Sequence, residues 1–344
     1  MGELSAQVLK GFDVSAKKIV KEKAYYICDT ADGLRMIRST ADTAEHIIFQ
    51  HTIKEHVSEA GYPRTDRFYL CALTGLPYVL SGDERYVMTD FWDYREADFT
   101  NPDEFLLIVE SVAHWHTCAR HINFPATPSS DDLLPTFPIG NQSGISSSVD
   151  FFRKQGSALN TVKKKVSKQA RLSDFDVMFI KNANSYAQQI SDAAALLETT
   201  GYAACQERAQ QENYICHNTL KEESLRVNDH DIYITQYADA SIDYQLNDLC
   251  GLIRRYGQHE NDPAVAGASI HQVLAVYNRI IPITQEEIKI LYALLLYPYN
   301  FIKIVTQYYN KKRTWTPSAI INRMQAVVDQ KAGFEKYIAE LRGE

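Results

Sequence analysis

The chain has 344 residues, a length that accommodates one large or two smaller domains with room for a real core. Its 36 Lys and Arg against 43 Asp and Glu give a formal charge of −7, which argues against a nucleic-acid binder held by phosphate contacts. With 45% hydrophobic and 23% charged residues, 15 Gly and 11 Pro, collagen-like and low-complexity classes are excluded.

The unusual count is 21 Tyr, a residue with an apolar body and a polar tip that suits half-buried positions and interfaces. Cys28, Cys71, Cys118, Cys205, Cys216 and Cys250 contain no pair spaced as a metal knuckle or redox dithiol, and read as buried thiols. The stretch Met1–Val20 lacks the apolar core of a signal peptide, so cytoplasmic synthesis is expected. The longest apolar run, Ile290–Tyr297, is too short to span a bilayer and reads as a buried helix, so no membrane insertion is expected.

Along the chain, Ala24–Cys28 and Leu34–Arg38 read as strands joined by a turn at Asp32-Gly33. A helix follows from about Asp42 to Ala60 and stops at Gly61-Tyr62-Pro63. Asp66–Leu73 and Arg85–Phe91 read as two more strands, separated by a turn at Ser81-Gly82-Asp83. Asn101 caps a helix that begins at Pro102, with Glu104 completing a capping-box pattern and Phe105, Ile108, Val109, Val112, His116 and Ala119 at helical spacing.

Pro125–Ser148 reads as a long loop, and Val149–Thr200 as mostly helix, with Lys163–Lys165 and Lys168 on a solvated face. Leu225–Val227 and Ile232–Thr235 form a strand pair around a turn at Asn228–Asp231. The remainder is helical, with a capping box at Thr284 and Glu287 and a helix start at Thr316-Pro317. The expected architecture is α+β: a small antiparallel-sheet lobe with one helix over residues 1–91, and a large, mostly helical lobe over residues 92–344 that carries one hairpin near residues 215–240. That is the plan of a bilobal kinase.

Four stretches carry a more specific resemblance. They are Tyr86–Trp92 with Arg95–Phe99 and Asn101-Pro102; Ile215–Leu220; Asp243–Arg255 with Asn247-Asp248-Leu249; and Tyr308–Pro317, preceded by Tyr277–Glu287 and Tyr297-Pro298. Together they resemble the CotS-type family of bacterial spore coat proteins, which belongs to the aminoglycoside and choline kinase-like branch of the protein-kinase fold. The carboxyl-terminal stretch is the most specific of the four, and the resemblance covers nearly the whole chain.

The resemblance implies a catalytic loop of the pattern His-Gly-Asp-x-x-x-x-Asn, whose Asp positions the acceptor hydroxyl and whose Asn helps to hold magnesium. The matching stretch runs His217-Asn218-Thr219-Leu220-Lys221-Glu222-Glu223-Ser224, with Thr219 in place of the Asp and Ser224 in place of the Asn. After the hairpin the family pattern Ile-Asp-Phe-Asp is matched by Thr235-Gln236-Tyr237-Ala238, so Gln236 replaces the carboxylate that binds the metal on the ATP phosphates. The phosphate-contacting strand lysine falls at Arg38, with Glu45 and Glu55 both open as its acidic helix partner. His217 and Asp248, which support the catalytic loop in this fold, match the family.

Several motifs carry a plainer structural reading beside the chemical one. His217 reads as a buried histidine bonded to backbone, and Cys216 as core. His114 and His116, two apart on a helix, cannot share a metal. Asp229-His230-Asp231 reads as a polar turn, and Lys311-Lys312-Arg313 beside Tyr308, Tyr309 and Trp315 as a structural or partner-docking feature.

The resemblance and its departures imply a catalytically inactive spore coat protein, made in the mother cell during sporulation and assembled with other coat proteins, without nucleic acid and without a required cofactor. Two alternatives stay open. One is a phosphotransferase using ATP and magnesium through Asp239 or Glu222 in a non-standard arrangement. The other is a nucleotide- or sugar-binding module built near Arg38, Asp90 and Gln236.

Overall fold

The computed structural model describes residues 4–124, 149–259, 268–310 and 318–342. The loop expected at Pro125–Ser148, the Lys311–Trp315 stretch and the helix start at Thr316-Pro317 lie outside the described residues. In chain order the elements begin with α1 (Ala6–Gly11), β1 (Ala16–Lys21), β2 (Tyr26–Thr30), β3 (Gly33–Thr40), α2 (Ala44–Glu59), β4 (Val79–Ser81), β5 (Glu84–Asp90), β6 (Arg95–Glu96) and α3 (Pro102–Cys118). They continue with α4 (Val149–Val166), α5 (Asp174–Glu198), α6 (Tyr202–Gln211), β7 (Ile215–Cys216), β8 (Leu225–Asn228), β9 (Asp231–Ile234) and β10 (Ser241–Ile242). The last helices are α7 (Leu246–His259), α8 (Ile270–Asn278), α9 (Gln285–Leu296), α10 (Tyr299–Asn310) and α11 (Ser318–Ala339). This is the expected α+β composition, with an antiparallel sheet early in the chain and helices dominating the rest.

The chain divides into two compact units, one of residues 1–98, 111–142 and 209–245, the other of residues 99–110, 143–208 and 246–344. In the first unit, five antiparallel strands lie in the order β1-β2-β3-β5-β4. The turn signal at Asp32-Gly33 is realised with Thr30 paired to Gly33, whose φ of 109° is a conformation that glycine adopts without a side-chain clash. Strand alternation separates two layers. Cys28, Ile37 and Met88 pack with Val8, Phe12 and Val79, while Val87 packs on the opposite face with Ile47 of α2 and Phe68.

Two features of this unit differ from the sequence expectation. Helix α1 and strand β1 were not legible, because β1 is an edge strand with five of its six residues exposed and so lacks the apolar alternation of a buried strand. Asp66–Leu73 is irregular rather than a strand. β4 covers only Glu84–Tyr86 of β5, and beyond it this segment makes single bonds in place of a ladder: Tyr69 N–H to Met88 O at 2.9 Å on β5, Cys71 N–H to Leu76 O at 2.7 Å and Ala72 N–H to Gly11 O at 2.8 Å. The remaining strands form a three-stranded sheet β6-β8-β9 and a two-stranded sheet β7-β10. The hairpin of β8 and β9 turns through Asp229, at φ 55°.

In the second unit the helix starts follow the sequence signals. Asn101 Oδ1 accepts from the amides of Asp103 and Glu104 at 3.0 and 3.3 Å, and Thr284 and Glu287 form the reciprocal capping box of α9. A second box, Ser173 with Asp176, opens α5. Many tyrosines are used in stacked pairs: Phe175 with Tyr308 at 3.8 Å, Tyr186 with Phe301 at 3.7 Å, Phe105 with Tyr256 at 4.1 Å and Phe152 with Tyr297 at 4.2 Å between centroids. The segment Gln285–Asn310 is apolar enough by length and composition to cross a membrane, but it is two helices interrupted at Tyr297-Pro298, with 56% of its most apolar window buried inside the fold.

Candidate functional site

The residues matched to the catalytic loop lie in the first unit, between β7 and β8 and just after β9. His217 is fully buried, with Nε2 at 2.9 Å from the Thr235 carbonyl oxygen. Thr235 returns two bonds to the Ser224 carbonyl, from its amide at 2.9 Å and its hydroxyl at 3.0 Å. The loop and the segment after the hairpin are thereby tied along their backbones.

Two of the three departing side chains, Ser224 and Gln236, are engaged in holding this shape. Ser224, also fully buried, donates its hydroxyl to the Thr219 carbonyl at 2.6 Å and accepts from the Lys221 amide at 2.9 Å, closing the 3-10 turn Glu222–Ser224. The Thr219 hydroxyl reaches only the His217 carbonyl, at 3.5 Å. Gln236 sits in the left-handed region at φ 63°, ψ 62°. Its amide N–H donates to Asp66 Oδ2 at 3.3 Å and its side-chain Nε2 to the Glu223 carbonyl at 2.8 Å. Asn218, at φ 65°, is pinned by bonds from Nδ2 to Asp239 O and Ser241 Oγ, both at 2.8 Å. Non-glycine residues at positive φ cost of order 1–3 kcal/mol each and persist only where surrounding bonds over-determine them.

Arg38 lies on the face of β3 that, through its neighbour Val87, meets α2. Neither of the two proposed acidic partners serves it. Glu55 forms an ion pair with Arg67, and Glu45 is exposed at the first turn of α2, where its own backbone amide and the Thr43 hydroxyl hold its carboxyl below the usual range. What α2 carries toward this region is Lys54, a residue that the sequence reading passed over. Its ammonium is fully buried, 3.0 Å from Asp66 Oδ1 and 2.8 Å from the Asp66 carbonyl oxygen, and 3.7 Å above the Phe68 ring. Burial lowers its pKa from 10.5 to about 8, the Asp66 carboxylate opposing and the Arg38 charge adding to the shift.

The same pocket of polar atoms includes Tyr237, whose hydroxyl accepts from Trp115 Nε1 at 2.8 Å and from the Thr65 hydroxyl at 2.9 Å. Burial raises the Tyr237 pKa well above its ordinary value, so the phenol is neutral. One signal could have found this network: Lys54 and Gln50 occupy the buried stripe of α2 between Ile47 and Val57, where polar residues need partners.

Asp90 is committed elsewhere. Its carboxylate pairs with Arg35 at 2.8 Å and accepts from the Tyr69 hydroxyl at 2.8 Å. The β3–β5 register sets Arg35 opposite Asp90 and Arg38 opposite Val87, three residues away, so Arg38 and Asp90 project from opposite faces of the sheet and are not brought together. Asp248 is buried in the first turn of α7, in the second unit. Asp239 is exposed at the end of a 3-10 turn, and Glu222 is half-buried at the start of the turn before β8. Among the plainer readings, His116 and Cys216 are fully buried, His114 is exposed, and Asp229-His230-Asp231 is at the β8–β9 turn, with Asp231 paired to Arg64 at 3.0 Å.

The donor set at positions 219, 224 and 236 does not fit a magnesium nucleotide. It offers two hydroxyls and an amide, of which the Ser224 hydroxyl and Gln236 Nε2 are already bonded to the loop, and no carboxylate, whereas Mg²⁺ on phosphates is held by carboxylate oxygens. Among the described residues no group of three or more His, Cys, Asp or Glu is placed to hold a metal.

A family model described as spore coat putative kinase YutH matches residues 5–341. The chain belongs to this family of CotS-type spore coat proteins. No curated protein sequence matches it. Among solved structures, the fold is similar to an aminoglycoside phosphotransferase from Alicyclobacillus acidocaldarius, at 17% identity and a TM-score of 0.82 over 100% of this chain and 97% of that one. It is also similar to amicoumacin kinase hAmiN, at 12% identity and 0.62 over 94% and 91%, and to spectinomycin phosphotransferase APH(9)-Ia, at 12% identity and 0.59 over 94% and 96%. These likenesses establish the kinase-like fold of this family member.

Proposed function

We propose that this member of the family is a catalytically inactive, kinase-like protein that serves in the assembly or structure of the spore coat. In this reading it is made in the mother-cell cytoplasm during sporulation, is deposited on the spore and takes other coat proteins as partners, with no cofactor required. The observation that carries it is the fate of Ser224 and Gln236: side chains standing where metal ligands would be are bonded to Thr219 O and Glu223 O, so they serve the loop's shape. Removing groups that act together in catalysis costs many orders of magnitude in rate, and here the acceptor-positioning carboxylate and both metal ligands are replaced.

The test is calorimetric titration of the protein with ATP, with and without magnesium, beside a Gln236→Asp variant. No binding, or binding indifferent to magnesium, is the expected result. Magnesium-dependent binding by the unmodified protein would overturn the reading in favour of a phosphotransferase working through Asp239 or Glu222. Tight magnesium-independent binding would direct attention to a nucleotide-binding role without turnover.

A further inference from the structure

The α4–α5 hairpin of the second unit carries a charge opposite in sign to that of the chain. From Phe151 to Ser173 the sequence has no Asp or Glu, in a protein of net charge −7, and its cations crowd toward the turn between the two helices: Lys163, Lys164, Lys165, Lys168 and Arg171. The winding of α4 continues past Val166, with Ser167 N–H bonded to Lys163 O at 2.9 Å and Gln169 N–H to Val166 O at 3.0 Å. Lys168 therefore stands about one turn beyond Lys164 and Lys165 on the same side. Lys164, Lys165, Lys168 and Arg171 are exposed and have no ion pair among the described residues, while Lys163 is bonded to the neutral Asn184 amide oxygen.

Beside this basic turn lie two apolar side chains that the fold leaves largely in water. Ser173 caps α5, which puts Leu172 just before the cap and Val177 at the fourth helical position, the pair of positions that packs as a hydrophobic staple. They remain 43% and 55% exposed. Asp174, exposed in the first turn of α5, borders them, and Lys181, one turn after Val177, offsets its charge. The helix macrodipole accounts for cations in the last turn of α4, but not for exposed Leu and Val beside them. An apolar patch rimmed by charge is the usual mark of an interaction surface.

We infer that the α4–α5 turn is a peripheral docking surface for an anionic lipid bilayer, its cations lying against headgroup phosphates and Leu172 with Val177 entering the interface. Binding to a bilayer surface grows with the apolar area buried and with the attraction between cations and anionic lipid, and this turn supplies both. A nucleic acid would meet the cations but leave Leu172 and Val177 in water, and Phe175, the aromatic ring of the turn, is fully buried and not offered for base stacking. The surface lies within the helical unit and does not depend on whether the catalytic-loop region is active.

The experiment is co-sedimentation of the full chain with phosphatidylcholine vesicles, with and without roughly 30% phosphatidylglycerol, beside a titration with a short RNA. The protein is expected to partition onto the anionic vesicles and to stay in solution with the neutral ones. Each cation near an anionic surface contributes about fivefold, so Lys164→Gln, Lys165→Gln and Lys168→Gln together should weaken partitioning by about a hundredfold. Leu172→Ser with Val177→Ser should weaken it by at least about tenfold, since each side chain has roughly half of its area left to bury. The comparison of the two lipids and RNA on the unmodified protein stands even if a variant fails to fold. Absence of sedimentation with anionic vesicles, equal sedimentation with both vesicle types, an unchanged response in either folded variant, or RNA binding as tight as lipid binding would each overturn the assignment.

Discussion

The ammonium of Lys54 on α2 and the carboxylate of Asp66 in the following loop face each other at 3.0 Å, with Lys54 fully buried and Asp66 6% exposed. A kinase of this fold is expected to place a carboxylate on that helix, toward the strand cation. Here the helix itself supplies a cation, and the neutralising charge comes from the loop that also binds the Gln236 amide. The pair therefore joins α2 to the loop whose Asp66 also holds the Gln236 amide.

Replacing Lys54 alone should be costly. Lys54→Met leaves the Asp66 carboxylate buried without its counter-charge, and loss of one partner of such a pair typically costs about 3–5 kcal/mol. The double variant Lys54→Met with Asp66→Asn removes the orphaned charge and keeps an acceptor for the Gln236 amide, so it should regain most of that loss. Urea denaturation of the three proteins measures both quantities; equal stabilities for the single and double variants would contradict the pairing.

The pH dependence follows from the lowered Lys54 pKa of about 8 against the ordinary 10.5. Between these values the unfolded chain binds more protons at this site than the folded one, so this residue's contribution to stability rises with pH across the window. Below pH 8 the site is protonated in both states and contributes no slope. Comparing unfolding free energies of wild type and Lys54→Met from pH 7 to 10 should show the wild type gaining relative to the variant, by at most about 1.4 kcal/mol per pH unit. A constant or falling difference would count against a buried, depressed lysine.

Ser224 offers a test of the loop. Its hydroxyl makes bonds at 2.6 Å to Thr219 O and 2.9 Å from Lys221 N in a fully buried position. Ser224→Ala should lower stability by about 1–3 kcal/mol, since the Lys221 amide loses its hydroxyl partner. Hydrogen exchange should show faster exchange of the Lys221 amide in the variant.

At Gln236 two effects oppose one another. Gln236→Gly relieves the left-handed backbone, worth roughly 1 kcal/mol, and removes the side-chain bond to Glu223 O, worth about the same, so the net change should be small. Gln236→Val loses the bond and adds a β-branched side chain at φ 63°, so it should destabilise by about 2–4 kcal/mol. Thermal unfolding of the two variants distinguishes them by size, with a lowered Tm for Gln236→Val and little change for Gln236→Gly.

Much of the architecture was legible because it is written in local signals. The caps at Asn101, Thr284 and Glu287, the break at Gly61 and the hairpin at Asp229 act within a few residues of where they stand. The departures from the family pattern at Thr219, Ser224 and Gln236 were equally visible, since residue identity alone shows the carboxylate missing at the first and last and the amide missing at the second. Asp66–Leu73 misled because its apolar content suits a strand, while its backbone meets β5 only through Tyr69 N–H and turns the amides of Cys71 and Ala72 to Leu76 and Gly11.

What tertiary structure alone decided is where the remaining charges found partners. Arg38 and Asp90, grouped by the sequence reading, are separated by sheet register; Glu55 is taken by Arg67, and Lys54 by Asp66. Side-chain type determines what a residue can donate, accept or ionise, and that much is local. Whether a buried cation is tolerated depends on which distant carboxylate the packing brings within about 3–4 Å, because only there does the attraction offset the loss of water.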